Sequence, residues 1–226
     1  MSRDRFGPDT FSGPVVPVVV LDEVRHAVPL ARALVAGGLR DIEITLRTPA
    51  ALDAIRRIAG EVPEARVGAG TVLGADDAAR ALEAGARFLV SPGLGRGIAA
   101  VARERGVPLV PGVATPTEVM AALDEGFSLL KFFPAAAAGG LPMLRAMAGP
   151  FPSVRFCPTG GIDARGAPDW LALPNVAAVG GTWPAPAPVV AREDWSAIEA
   201  LARAAAALRA PSPPSNPPDP QQGERR

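Results

Sequence analysis

A single lysine, Lys131, stands in a chain of 226 residues that carries 22 arginines. If charged residues make up about 25% of an ordinary chain and divide evenly, on the order of a dozen lysines would be expected. A chain-wide drift toward Arg, Ala, Gly and Pro accounts for the scarcity, so the scarcity alone says nothing of function; the survivor is what matters. Arginine replaces lysine wherever only a surface charge is wanted, but a guanidinium does not deprotonate and cannot act as an amine nucleophile. Lys131 lies in Ser128-Leu129-Leu130-Lys131-Phe132-Phe133-Pro134, among large apolar residues. In a strand, Leu129, Lys131 and Phe133 share one face. Burial there disfavours the ammonium and favours the free amine, which can attack a carbonyl carbon. The competing reading is a snorkelling lysine whose stem covers apolar surface.

A second candidate comes from Asp41-Ile42-Glu43-Ile44-Thr45-Leu46-Arg47-Thr48, where the period is two. Ile42, Ile44 and Leu46 belong against helices, which turns Glu43, Thr45 and Arg47 to the opposite, interior face, the same interior into which Lys131 points if Leu130 and Phe132 meet the helices. Unpaired charge is costly there, so these groups need partners. An internal Glu43–Arg47 ion pair, or a solvated edge strand, would satisfy the same pattern without any catalytic role.

Two glycine pairs, Thr159-Gly160-Gly161 and Gly180-Gly181-Thr182, follow strand-like runs near the end of the chain. Paired glycines let backbone amides converge on an anion, and the size suits a sugar phosphate. Gly68-Ala69-Gly70-Thr71 and Ser91-Pro92-Gly93 add small residues that make room for a ligand, with Thr71 a binding candidate. No spacing fits a dinucleotide fingerprint or a Walker loop. With His26 the only histidine and Cys157 the only cysteine, no zinc or iron cluster and no internal disulfide can be assembled. Metal-free chemistry without a cofactor is expected. Cys157 reads as a buried strand residue and His26 as structural or surface.

The charges balance at 23 basic and 23 acidic side chains, which argues against nucleic acid or an anionic membrane as partner. The apolar runs are far shorter than the ~20 residues of a membrane span, and the N-terminus lacks a signal-peptide core, so a soluble, cytoplasmic protein is expected.

The elements that must position these residues recur as a two-part unit, a β-branched or apolar run followed by an Ala- and Leu-rich stretch at helical spacing. Eight strand-like runs begin near Val15, Asp41, Arg66, Arg87, Val107, Leu129, Val154 and Val176. Helices are predicted over Glu23 to Ala36, Pro49 to Ala59, Asp76 to Ala84, Pro116 to Asp124 and Trp195 to Leu208. Alternation at this spacing implies βαβ crossovers and a parallel sheet. Eight units predict an α/β fold of the (β/α)8 TIM-barrel type, with a doubly wound open sheet as the competing architecture. In a barrel the glycine pairs would follow strands seven and eight, where phosphate sites commonly form. The predicted division is an N-terminal arm over 1–12, a barrel domain over 13–210 and a disordered Pro-rich tail over 211–226.

Taken together, Gly13-Pro14-Val15-Val16-Pro17-Val18, Glu43 to Thr48, Gly68 to Leu73, Ser91-Pro92-Gly93, Lys131 to Ala135 and Arg155 to Gly161 closely resemble the bacterial 2-dehydro-3-deoxy-6-phosphogluconate (KDPG) aldolases, over about Gly13 to Ala207. The resemblance implies a class I, Schiff-base aldolase of the Entner–Doudoroff pathway, a (β/α)8 barrel and usually a homotrimer, often also acting on 4-hydroxy-2-oxoglutarate. Its small-molecule partners would be a phosphorylated 2-keto-3-deoxy sugar acid and pyruvate. By the same resemblance Lys131 matches the Schiff-base lysine and Glu43 the general acid/base. Arg47 and Thr71 match positions around the pyruvate-derived carboxylate, with Thr159 nearby. Gly160, Gly161, Gly181 and Thr182 match the phosphate-binding turns. The chain departs from the pattern at Thr182, where serine is frequent, at Ala136 and Ala138, which replace polar residues, in a shortened N-terminal helix, and in the tail. A phosphogalactonate-type aldolase or a catalytically silent sugar-phosphate-binding barrel are the other readings.

Overall fold

Strands form where the β-branched and apolar runs predict them. The computed structural model describes residues 10–208. The predicted tail, and most of the predicted arm, lie outside the described residues. Nine short strands occur among those described: β1 (Val15–Val19), β2 (Asp41–Thr45), β3 (Arg66–Gly70), β4 (Leu89–Val90), β5 (Leu109–Val110), β6 (Gly112–Val113), β7 (Leu129–Phe132), β8 (Arg155–Pro158) and β9 (Val179–Gly181). Every pairing between them is parallel. The order is β5-β4-β3-β2-β1-β9 in one sheet and β6-β7-β8 in the other. The first strand pairs with the last, Val15 to Pro17 against Val179 to Gly181. That is the curled sheet of an α/β barrel, and it lacks the reversal of order that marks a doubly wound sheet.

Helices follow the strands and cover the outer face: α1 (Ala27–Ala36), α2 (Ala51–Glu61), α3 (Ala75–Glu83), α4 (Arg96–Arg105), α5 (Pro116–Asp124), α6 (Gly140–Met147), α7 (Ala167–Leu171), α8 (Ala187–Ala191) and α9 (Trp195–Ala206). The α5 boundaries coincide with those predicted, because Thr115, Pro116 and Glu118 supply cap, first turn and capping box together. Ile42, Ile44, Leu130, Phe132 and Phe156 point outward into the large apolar layer shared with the helices. The opposite face holds two small clusters, Phe88, Val90, Val110 and Leu129 in one and Val16, Cys157 and Ala178 in the other. Phe11 packs against both.

Two expectations need correction. The run expected as one strand from Val107 is divided into β5 and β6 at Pro111, which has no N–H to give a ladder. Its carbonyl still accepts from the Lys131 amide at 2.9 Å. Glycines expected to follow strands lie within them: Gly68 and Gly70 belong to β3, Gly180 and Gly181 to β9. A glycine can occupy a strand where another side chain needs the space a Cβ would fill.

Candidate active site

Glu43 and Lys131 come from strands that are not neighbours. β2 is paired with β1 and β3, and β7 with β6 and β8, so a contact between them crosses the interior. Lys131 Nζ donates to Glu43 Oε1 at 3.3 Å, with Lys131 5% and Glu43 3% exposed. The snorkelling reading required the amine in solvent, and the amine is buried. The Phe133 ring lies beside it, its centroid 5.2 Å from Nζ. Each group gives the other a hydrogen-bonded partner of opposite charge, which offsets the cost of burying both.

The parity predicted for β2 holds over its length, and each inward polar group has a separate partner. Thr45 Oγ1 donates to the Val19 carbonyl at 3.1 Å. Arg47, beyond the strand and exposed, donates from Nε to Thr71 Oγ1 at 3.0 Å, not to Glu43. The internal Glu43–Arg47 pair is therefore replaced by two contacts, Glu43 with Lys131 and Arg47 with Thr71. Thr71 has φ +55, a left-handed backbone that costs a β-branched residue on the order of 1–3 kcal/mol. Its hydroxyl is held at the rim, where it orients a guanidinium able to grip a carboxylate in bidentate fashion.

The turn after β8 carries Thr159, Gly160 and Gly161. Gly160 has φ +102 and Gly161 φ +75, so glycine meets a conformational demand there. The loop after β7 is tied to this turn, with the Ala135 amide donating to the Thr159 carbonyl at 2.8 Å and the Ala136 amide to the Gly160 carbonyl at 3.0 Å. A bridge between Thr159 and Gly180 sets the turn beside the end of β9, with Gly181 buried and Thr182 exposed. The two glycine pairs thus meet at the C-terminal ends of adjacent segments. Loops at such ends, with free amides, suit an anion.

Sequence reasoning missed two neighbours of the amine and one of the carboxylate. Cys157 is in register with Lys131, and burial pushes its thiol up to about 12, with Lys131 opposing the rise and Glu43 adding to it. The Phe133 ring was foreseen on the same face but not as a contact. Gly70, expected to make room for a ligand, instead faces Glu43 itself. Strand parity marks the shared faces but not which side chains meet. His26 is structural: its Nε2 lies 3.3 Å from Glu193 Oε1, and its ring lies against Trp195. Among the described residues no three His, Cys, Asp or Glu side chains converge as a metal site.

The family model described as aldolase, KDPG and KHG aldolase, matches residues 10–201. The chain is 53% identical over 194 residues to a KHG/KDPG aldolase of Escherichia coli strain K12, covering 86% of this chain and 91% of that one. Among solved structures it is similar to a KDPG aldolase from Legionella pneumophila with pyruvate captured at low pH as a covalent carbinolamine intermediate. The identity is 44%, the TM-score 0.85, and the match covers 90% of this chain and 97% of that one. The aldolase of Zymomonas mobilis ZM4 with 3-phosphoglycerate is 49% identical at a TM-score of 0.83, covering 87% and 92%.

Proposed function

This chain belongs to the KDPG and KHG aldolase family, and we propose from that premise that it is a class I aldolase splitting 2-dehydro-3-deoxy-6-phosphogluconate into pyruvate and glyceraldehyde 3-phosphate, with 4-hydroxy-2-oxoglutarate as a second substrate giving pyruvate and glyoxylate. The observation that carries this reading is the buried 3.3 Å contact between the chain's lone lysine and a carboxylate from across the sheet. Lys131 attacks the C2 carbonyl, and the resulting carbinolamine loses water to give a protonated imine. Glu43 takes the proton of the C4 hydroxyl as the C3–C4 bond breaks. The bond's electron pair passes into the imine to form an enamine, and the aldehyde departs. Glu43 then returns a proton to the enamine carbon, and hydrolysis of the imine releases pyruvate and restores the amine.

Arg47 and Thr71 hold the substrate carboxylate, with Thr159 alongside, while Gly160, Gly161, Gly181 and Thr182 hold the phosphate. Fixing both ends places the reacting centre over Lys131 and Glu43. We take the two sheets as one eight-stranded barrel, β5 and β6 being halves of a single strand. The bridges from Phe156 to Val176 and from Thr159 to Gly180 support this closure. A cytoplasmic homotrimer is part of the same reading and rests on the sequence resemblance.

Borohydride reduction in the presence of pyruvate tests the proposal. One reduced pyruvyl group is expected on Lys131, identifiable by peptide mapping because the only other primary amine is the N-terminus, and none on Lys131→Arg. An unlabelled wild-type chain would make it a silent sugar-phosphate binder. Turnover of the two C4 epimers then separates the gluconate substrate from the galactonate one.

A further inference from the structure

Gly70 occupies the last position of β3, in register with Thr45 of β2. Its φ lies outside the left-handed region, so the backbone there makes no demand for glycine. The demand comes from space. A Cβ built at Gly70 would stand 2.0 Å from Glu43 Oε1, 2.5 Å from Cγ and 2.6 Å from Cδ, and these three nearest atoms all belong to that one side chain. Real Cβ atoms do not approach so closely, and the far end of glutamate can swing away by rotating its side-chain torsions. The same Oε1 is the atom that accepts from Lys131 Nζ. Other glycines of the site are also tightly faced, Gly180 by Thr159 Oγ1 at 2.3 Å, Gly161 by Ala136 Cβ at 2.5 Å and Gly181 by the Trp183 ring at 1.7 Å, but only the Gly70 position is filled by the carboxylate that meets Lys131. Gly74, four residues beyond Gly70, would meet nothing within 4 Å and serves as the comparison position.

We infer that Gly70 is a positioning residue: the volume left by its missing side chain is where the Glu43 carboxylate lies when it faces the Lys131 amine. A methyl group at position 70 turns the carboxylate out of line with the substrate carbons, and the three nearest atoms it would meet belong to Glu43 and not to Lys131. Imine formation therefore survives and proton return does not. In the step affected, the enamine carbon takes a proton from the Glu43 carboxyl using the enamine π electrons, and the nitrogen lone pair re-forms the imine. The inference rests on Glu43 being the acid–base group, so the test must separate the two.

Two readouts do this: borohydride labelling of Lys131 with pyruvate, which reports the amine, and exchange of pyruvate methyl protons with deuterated water, which reports the carboxylate. Gly70→Ala is expected to label as wild type while exchanging at least tenfold more slowly, and its KM for the sugar acid should change less than its kcat. Gly74→Ala should match wild type in both. Gly70→Ala combined with Glu43→Gln should exchange no more slowly than Glu43→Gln alone, since the two changes act through one group. Where Gly70→Ala fails to fold, the same substitution in a Glu43→Ala background must fold as well as Glu43→Ala itself, the obstructing side chain being gone. Wild-type exchange by Gly70→Ala, or an additive double variant, overturns the inference and leaves the Schiff-base reading standing. An unlabelled wild-type chain, or full exchange by Glu43→Gln, overturns the functional reading first and this inference with it.

Discussion

Cys157 sits across the ladder from Lys131 and takes no part in the chemistry proposed, yet it reports on the interior that the amine shares. Burial is the main cause of its raised thiol, which stays protonated up to about 12. A thiolate is the reactive species, so iodoacetamide at pH 8 should leave the native protein unmodified and alkylate it once urea has unfolded it. The same shift has a stability consequence. An acid whose folded pKa lies above its unfolded value contributes fully below the unfolded value, and the contribution is lost as pH rises toward the folded one. For Cys157 that window runs from about 9.0 to about 12. The chain has no tyrosine and one lysine, so few other side chains titrate there. Denaturant unfolding should show wild type losing about 1.4 kcal/mol per pH unit relative to Cys157→Ala across this window. Parallel curves for the two proteins would mean the thiol is not held as described.

The strand β2 shows how an element distributes polar residues inside a barrel. Asp41, Glu43, Thr45 and Arg47 alternate with apolar residues and meet four different partners, from the N-terminal mouth to the C-terminal rim. The common face of Glu43, Thr45 and Arg47 was legible in the alternation, and parity turned Lys131, 88 residues away, into the same interior as Glu43; the Arg47–Thr71, Thr45–Val19 and Asp41–Ser12 contacts were not legible. Helix α5 was legible to its ends because its signals are local. The Thr115 hydroxyl accepts from the Glu118 amide at 3.3 Å, and Glu118 accepts from the Thr115 amide at 2.9 Å and the Ala114 amide at 2.7 Å. The Ala114 amide is the main cause holding the Glu118 carboxyl below its ordinary value of 4.5. That contribution is therefore present above about pH 4.5 and lost as pH falls below it. Thr115→Ala should cost about 1 kcal/mol by denaturant unfolding, with borohydride labelling of Lys131 unchanged. A loss of labelling would mean that α5 supports the site and not only its own end.

Among the described residues, the proposed chemistry and the contacts of residues 10–12 lie at opposite ends of the strands. At the N-terminal mouth Asp41, 3% exposed, accepts from the Ser12 amide at 2.6 Å and the Ser12 hydroxyl at 2.7 Å, and pairs with Arg66, which also reaches the Thr10 carbonyl. The Phe11 ring meets Phe88 edge-on, 5.6 Å between centroids, and Arg66 lies over the same Phe88 ring. Residues 10–12 thus cover the interior at the end of the strands opposite Glu43 and Lys131. Phe11→Ala should lower stability on the order of 1–3 kcal/mol while leaving pyruvate labelling of Lys131 intact. Equal loss of both would show that this cover also orders the site.

The order of strand and helix, the inward parity of Glu43, Thr45 and Arg47, and the singularity of Lys131 could all be read from the linear chain, because periodicity, helix caps and the chemical difference between an amine and a guanidinium are local properties. The hydrogen-bond distance between Glu43 and Lys131, the Arg47–Thr71 contact and the space that Gly70 leaves for a carboxylate were settled by three-dimensional packing. Curling the sheet brings non-adjacent strands within hydrogen-bond reach, and the distance across a barrel depends on every strand between them, not on the residues at its two ends.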